Sequence, residues 1–204
     1  LSIANAVSSY DTMCVIQSSK LMPPGPEKTF PLLALTIGYA ARSDQRALRR
    51  LLAKQSTNIV EIDYSFNEAV LDVEVLKLTD GDQIQVYSLV NLMAEKFRSL
   101  LQQPARNRNR RQDVYDLSLL LREVEGWTPA EKLSLRDCLL ASAKSRDIAA
   151  RVDSMRDPEI KRRAAIGYED MRDEVEGEVP PFDTIYQAVQ DFYESLPWRL
   201  EFTN

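Results

Sequence analysis

The chain has 204 residues, of which 44% are hydrophobic and 28% charged, as in an ordinary globular protein. Its net charge of −5 argues against a surface that coats nucleic acid throughout, and no apolar run approaches the roughly 20 residues of a membrane span. Histidine is absent, which excludes a serine–histidine or cysteine–histidine mechanism and a histidine metal site within this chain.

The two cysteines favour a reducing, cytoplasmic location. Cys14 and Cys138 fit no metal-ligand spacing and need not pair. The first residue is leucine and the start lacks the basic region of a signal peptide, so we expect a processed or truncated product with room for upstream sequence.

The first part of the chain indicates strands with one helix. Thr12–Gln17 and Leu32–Tyr39 are apolar, partly β-branched runs typical of strands, and Pro23-Pro24-Gly25-Pro26 between them predicts a loop. Ser43–Lys54 has leucine and alanine at helical spacing and predicts a short helix.

The next run alternates with a period of two. In Asn58–Phe66 the apolar side chains point one way, while Glu61 and Asp63 point the other. Leu71–Leu78 and Ile84–Tyr87 predict two more strands, joined by a turn at Asp80-Gly81-Asp82.

After Ser88 the period changes to that of a helix, and the fold class is therefore α+β. We expect a mixed sheet in residues 1–87 and a helical region in residues 88–204. The predicted helices are Ser88–Gln102, Asp113–Glu125, Pro129–Ser145, Glu159–Glu174 and Thr184–Leu196, the last with a core-facing apolar stripe.

A lysine interrupts the apolar face of the first of these helices. Lys96 follows Leu89 by seven residues and Met93 by three, which places it within the stripe. Such a lysine extends to water, forms a structural ion pair, or faces a cleft as a phosphate-binding or acid–base group.

An aspartate in the next helix follows an arginine-rich loop. Asp113 lies on the apolar face, either as the helix N-cap or as a functional acid. The loop carries four cations that oppose the helix dipole: Arg106, Arg108, Arg110 and Arg111. Local carboxylates, a bound phosphate or plain solvation would each accommodate them.

The alternating strand offers the third candidate group. Glu61 and Asp63 lie two residues apart on one face, and paired carboxylates are what a magnesium site for nucleotidyl transfer requires. The alternative is a sheet edge open to water.

The order of these motifs resembles a known family. Val86–Leu101 with its Ala94-Glu95-Lys96 core, then Asn107-Arg108, then Arg111–Leu117 with its Asp-Val-Tyr-Asp-Leu run, resembles the AbiEii/AbiGii toxin family of nucleotidyltransferases. The resemblance covers about 35 residues in the right order and spacing, and the helical second half agrees with it.

The resemblance implies a DNA-polymerase-β-like nucleotidyltransferase that uses magnesium and a nucleoside triphosphate, with an antitoxin as partner and RNA as a possible acceptor. Matched residue by residue, the resemblance implies that Lys96 holds the triphosphate, and we expect the loop residues Arg108, Arg110 and Arg111 to bind it too. Asp113 is the acid of the last motif, Asp63 the third metal carboxylate, and Glu61 its neighbour. Asp116 supports helix packing.

One family feature is missing from this sequence. The family carries an upstream glycine turn and an acid-x-acid strand, whereas the first 57 residues contain only Asp11, Glu27 and Asp44 as acids. Two alternatives to the enzyme follow: a catalytically inactive module that binds nucleotide, RNA or antitoxin, and a structural domain in which Lys96 and Asp113 pair in a closed core.

Overall fold

The computed structural model describes residues 11–22, 31–66, 70–79 and 81–198. The chain divides into two compact units, residues 1–69 and 70–204, each with a sheet of its own. The predicted loop at residues 23–26 and Asp80 of the predicted turn lie outside the described residues. Within the described ranges, no helix has both the length and the hydrophobicity needed to cross a membrane.

The first unit contains an antiparallel three-stranded sheet. Its strands are β1 (Thr12–Met22), β2 (Leu32–Ala41) and β3 (Ile59–Ser65), in the order β1-β2-β3. The three predicted strands are therefore confirmed. β1 has a bulge at Gln17, whose side-chain amide contacts the backbone of Ser56: its Nε2 donates to the Ser56 carbonyl oxygen at 3.1 Å, and its Oε1 accepts from the Ser56 backbone amide at 2.8 Å.

The predicted helix of the first unit is α1 (Gln45–Leu52). Asp44 caps it, since its Oδ1 accepts from the Ala47 backbone amide at 2.9 Å, and Leu51 is fully buried. Eight helical residues span about 12 Å, less than the about 23 Å length of a seven-residue strand, so the chain re-enters the sheet near the end where β2 leaves it. This explains why β3 runs antiparallel to β2.

One face of the sheet carries both α1 and the predicted metal ligands. Glu61 lies opposite Thr36 in the β2–β3 ladder, and directly opposed residues share a face. Gly38, two residues further along β2, faces α1, because a Cβ there would lie 3.0 Å from Leu51 Cδ1. Asp63 follows Glu61 by two residues and lies on the same face.

The second unit begins with an antiparallel hairpin of β4 (Val73–Lys77) and β5 (Gln83–Tyr87). All described strand pairs are thus antiparallel, whereas the sequence suggested a mixed sheet; the α+β class itself is confirmed. The helices are α2 (Leu89–Leu101), α3 (Gln103–Arg106), α4 (Arg111–Glu123), α5 (Pro129–Ser145), α6 (Pro158–Ala165) and α7 (Phe182–Glu194). The division of the chain at residue 87 into a sheet region and a helical region, made from the sequence, stays a prediction.

The core of the second unit lies among the long helices. α2 packs on α4 and α5, and α4 packs on α7. Phe97, Leu117, Leu139 and Tyr193 are completely buried there, and the Phe97 and Tyr193 ring centroids lie 5.3 Å apart. The apolar stripe of the last helix is therefore core, as the sequence indicates.

The predicted helix Glu159–Glu174 is wrong as one continuous element. α6 ends at Ala165, and a 3₁₀ helix, Tyr168–Asp173, follows. Gly167 separates them with φ of +73°, a conformation that favours glycine and cannot continue a right-handed helix.

Candidate active site

Lys96 lies on the buried side of α2. The helix begins after Ser88, whose Oγ accepts a hydrogen bond from the Asn91 backbone amide at 3.1 Å. Met93 and Phe97 on the same side are completely buried, and the Lys96 side chain is only 17% exposed. An ammonium so far removed from water requires an anionic partner.

Two carboxylates of α4 supply that partner. Lys96 Nζ lies 3.3 Å from Asp113 Oδ1 and 2.5 Å from Asp116 Oδ2. The two aspartates are three residues apart and share a face of the helix. Lys96 therefore does not extend to bulk solvent but is held between two acids, of which Asp113 is the more buried at 14% exposure against 42%.

Asp113 is not the N-cap of α4. Arg110 occupies the cap position without a side-chain capping bond, and Asp113 is the third residue of the helix. A carboxylate in the first helical turn is stabilised by the helix dipole, while an arginine at the cap is not. The N-cap reading of Asp113 is thus wrong, and its buried position has another reason.

The charge of Asp113 is balanced between opposing effects. Burial raises the pKa of its carboxyl, while the nearby charges of Lys96 and Arg110 lower it; the net shift is upward. Its Oδ2 accepts no hydrogen bond from any described residue, and Arg110 Nε lies 3.9 Å from it. A buried carboxylate oxygen without a hydrogen bond is uncommon and indicates a group held ready for a ligand or a proton.

Gln103 fixes the basic loop that precedes α4. It is completely buried, accepts from the Arg110 backbone amide at 2.9 Å, and donates to the carbonyl oxygen of Ile160 at 3.2 Å. Arg106 and Arg108 are exposed and, within the part of the chain that the structure describes, form no ion pair. Two cations of the loop therefore remain open to an external anion.

Arg111, by contrast, is bound by local carboxylates. Its Nη1 donates to the Gly167 carbonyl oxygen and, at 3.0 Å, to Asp170 Oδ2; its Nη2 donates to Glu174 Oε1 at 2.6 Å. Gly167 permits this approach, because a Cβ there would lie 2.5 Å from Nη1. Arg111 thus joins the start of α4 to the 3₁₀ helix and its end.

A cleft opens beside these groups. It has a volume of about 440 Å³ and is bordered by Arg110, Arg111 and Asp113 on one side and by Gly167 and Asp170 on the other. The sequence analysis offered a purely structural domain as an alternative to the enzyme, and that alternative required Lys96 and Asp113 to pair in a closed core without a cleft. The pairing is present, and so is a cleft, whose lining includes Asp113 but not Lys96.

The other predicted ligands lie in the first unit. Glu61 and Asp63 are exposed on one face of β3, which is the edge strand of its sheet. Among the described residues, no group of three or more acidic, cysteine or histidine side chains could hold a metal. The pair nevertheless fits Mg²⁺, which is commonly bound by one or two carboxylates together with water and substrate phosphates.

Sequence reasoning missed several of these contacts. Asp116 was assigned to packing but is the closer partner of Lys96. Asp170 and Glu174 bind Arg111, a pairing that the sequence analysis does not predict. The excess of arginines before α4 and of acids after Gly167 was the available signal, since opposite local excesses tend to pair.

The fold and site define an α+β protein whose helical unit places a lysine between two aspartates, next to an arginine-rich loop and a cleft. Residues 24–188 match the family model described as nucleotidyl transferase AbiEii toxin of a type IV toxin–antitoxin system, and the chain belongs to this family. The resemblance found in residues 86–117 is thereby confirmed. No curated protein and no solved structure matches the chain.

Proposed function

We propose that the chain transfers a nucleotide from a nucleoside triphosphate to an acceptor, with Mg²⁺. The observation that carries this proposal is the buried, hydrogen-bond-free Oδ2 of Asp113, a residue that borders the cleft together with Arg110. The family supports the reaction class.

The second unit supplies the groups that bind the triphosphate. An ammonium has three donors, and the two aspartates use two of them, so Lys96 retains one for a phosphate oxygen. Arg110, which borders the cleft, and Arg108 of the same loop add positive charge. Arg111, already bound to carboxylates, holds the loop and α4 in place.

Asp113 acts as the proton acceptor. The hydroxyl oxygen of the substrate that receives the nucleotide forms a bond to the α-phosphorus. The bond between the α- and β-phosphates breaks, pyrophosphate leaves, and the proton of that hydroxyl passes to Asp113 Oδ2. A carboxylate whose pKa is raised by burial is a better base than an exposed one.

Glu61 and Asp63 of the first unit hold the metal ion in this proposal. Their carboxylates would hold Mg²⁺, and the chemistry that the ion would supply is electrostatic stabilisation of negative charge during nucleotidyl transfer. Residues 1–87 then form the metal-binding region and residues 88–204 the triphosphate-binding region. We place the protein in the cytoplasm, with an antitoxin as protein partner and RNA as the acceptor.

A second candidate function is a binding module that has lost catalysis. Two observations favour it: Lys96 is already neutralised by two carboxylates, and the described residues offer only Glu61 and Asp63 as a metal pair. Such a module binds nucleotide, RNA or antitoxin without transferring a nucleotide.

Thermal shift with each of the four magnesium–nucleoside triphosphates tests the site. We expect at least one nucleotide to raise the melting temperature of the parent but not of Lys96→Ala or Asp113→Ala. Lys144→Ala, an exposed lysine of α5 without a described ion-pair partner, is the control and should behave as the parent. If no nucleotide shifts the parent, both the transferase and the nucleotide-binding module are refuted.

A further inference from the structure

The solvent-facing side of α1 and its flanks carries a run of cations. Arg42, Arg46, Arg50 and Lys54 follow one another at intervals of four, and Arg49 adjoins them; all five are exposed. Within α1, Arg46 and Arg50 are four apart and lie on the same side of the helix, about 6 Å apart along its axis. Arg42 precedes the helix, and Lys54 follows it with a φ of +58°. We call these five residues the α1 cation ladder.

The ladder carries more positive charge than its own segment balances. Within the described part of the chain, none of the five forms an ion pair. The acid among residues 42–54 is Asp44, and its Oδ1 is engaged in capping α1. Like charges four apart on a helix repel and destabilise it, and the chain as a whole carries a net charge of −5. The ladder is therefore a local excess of positive charge, present although its charges repel one another and although the chain as a whole is negative.

We propose that the α1 cation ladder binds the phosphate backbone of a nucleic-acid strand, independently of base sequence. Four of the five cations are arginines, whose planar fork matches phosphate oxygens. The ladder also lies on an element of the sheet face that carries Glu61 and Asp63. Binding by the ladder does not depend on the proposed transferase activity.

An anionic membrane surface does not fit this face. A basic amphipathic helix binds membranes by inserting its apolar side, and the apolar side of α1 is occupied because Leu51 is fully buried against the sheet. An acidic protein fits less well than a nucleic acid, because protein interfaces are enriched in aromatic side chains, whereas residues 42–54 contain none.

Fluorescence anisotropy with the full chain and a labelled 20-nucleotide RNA of mixed sequence tests the proposal. Four or five phosphate contacts predict that the logarithm of the association constant falls with the logarithm of KCl concentration at a slope of about −3, from about 0.7 per contact. The DNA strand of the same sequence should bind with a similar slope. This parent measurement requires no variant.

Paired substitutions localise the binding. Arg46→Gln/Arg50→Gln removes two contacts while retaining helix propensity, and should reduce the slope by about 1.4, which corresponds to about 25-fold weaker binding at 0.1 M salt. The charge-matched control Arg122→Gln/Lys144→Gln, two exposed cations of α4 and α5 without described partners, should stay within about twofold of the parent.

Three results would overturn the proposal. One is a parent slope near zero; another is a control pair that loses as much affinity as the ladder pair. The third is tighter binding of polyglutamate than of RNA at equal total charge, which would assign the ladder to an acidic protein. Because RNA binding is measured without nucleoside triphosphate, failure here leaves the thermal-shift result at Lys96 and Asp113 unaffected, and the reverse also holds.

Discussion

Lys96→Met tests whether the buried lysine is what keeps Asp113 charged inside the second unit. The substitution preserves most of the side-chain volume and removes the ammonium that lies 3.3 Å from Asp113 Oδ1 and 2.5 Å from Asp116 Oδ2. At 3.3 Å and an effective dielectric constant of 20, the attraction to Asp113 alone is about 5 kcal/mol before desolvation. The substitution leaves the carboxylates of Asp113 and Asp116 without the ammonium between them.

The net loss of stability is smaller than that attraction. Removing one partner of a buried pair costs about 3–5 kcal/mol, and partial solvent access at Asp116 lowers the figure, so we expect about 2–3 kcal/mol at pH 7. For a chain of this length that corresponds to a fall in melting temperature of about 5–10 °C. Lys144→Met, at an exposed position, should change the melting temperature little.

The loss depends on pH in a defined direction. In the parent, burial already raises the pKa of Asp113, and Lys96 opposes that rise. Without the lysine, the pKa of folded Asp113 rises further above its unfolded value of about 3.9. The unpaired charge then destabilises the variant fully above the folded pKa, and the deficit relative to the parent shrinks as the pH falls toward 4 and the carboxyl takes up a proton.

Denaturant unfolding of the parent and both lysine variants between pH 4 and pH 7.5 measures these free energies. The reasoning is refuted if Lys96→Met is no less stable than Lys144→Met, or if its deficit stays constant over the pH range. The double variant Lys96→Met/Asp113→Asn should recover part of the lost stability, because the buried charge is then removed together with its partner.

Two further changes test contacts that position the site. Gly167→Ala places a Cβ 2.5 Å from Arg111 Nη1 at a φ of +73°, so we expect a loss of at least about 1–2 kcal/mol in unfolding free energy. Gly126→Ala is the matched control, because the space around Gly126 is open. Equal losses in the two variants would contradict the contact between Gly167 and Arg111. Two hydrogen bonds from Thr128 lower the pKa of Glu131, the larger effect from its backbone amide and the smaller from its hydroxyl. Thr128→Ala removes only the hydroxyl hydrogen bond, so the pKa of Glu131 should rise part of the way toward its ordinary value in an NMR titration. An unchanged value would mean that the capping box at the start of α5 does not form in solution.

The elements that the sequence predicts best are those with local signals at both ends. Pro129–Ser145 has a capping box at Thr128 and a proline at its first position, and its predicted bounds agree with the structure. The strand around Glu61 and Asp63 is recognisable from its strict alternation. The antiparallel pairing of β2 and β3 is harder to predict from the sequence, since it depends on how short α1 is relative to the strands.

Within the candidate site, the sequence predicts the charges better than their partners. Lys96 and Asp113 stand out because each interrupts an apolar face, and the structure places them 3.3 Å apart. The partners of Arg111 could not be predicted in the same way, since Asp170 and Glu174 lie 59 and 63 residues further along the chain. The turn at Gly167 that brings them close follows from a left-handed residue within an otherwise helical pattern.

The transfer of label from α-phosphate-labelled nucleoside triphosphates tests the proposed function most directly. With Mg²⁺ and total cellular RNA, the parent should move label from at least one nucleotide into RNA and release pyrophosphate. Asp113→Asn, which preserves shape but cannot accept the proton, should lose this activity while its melting temperature shows that it remains folded. Label that stays entirely in free nucleotide with the parent, although that nucleotide raises its melting temperature, would contradict the transferase and leave the binding module.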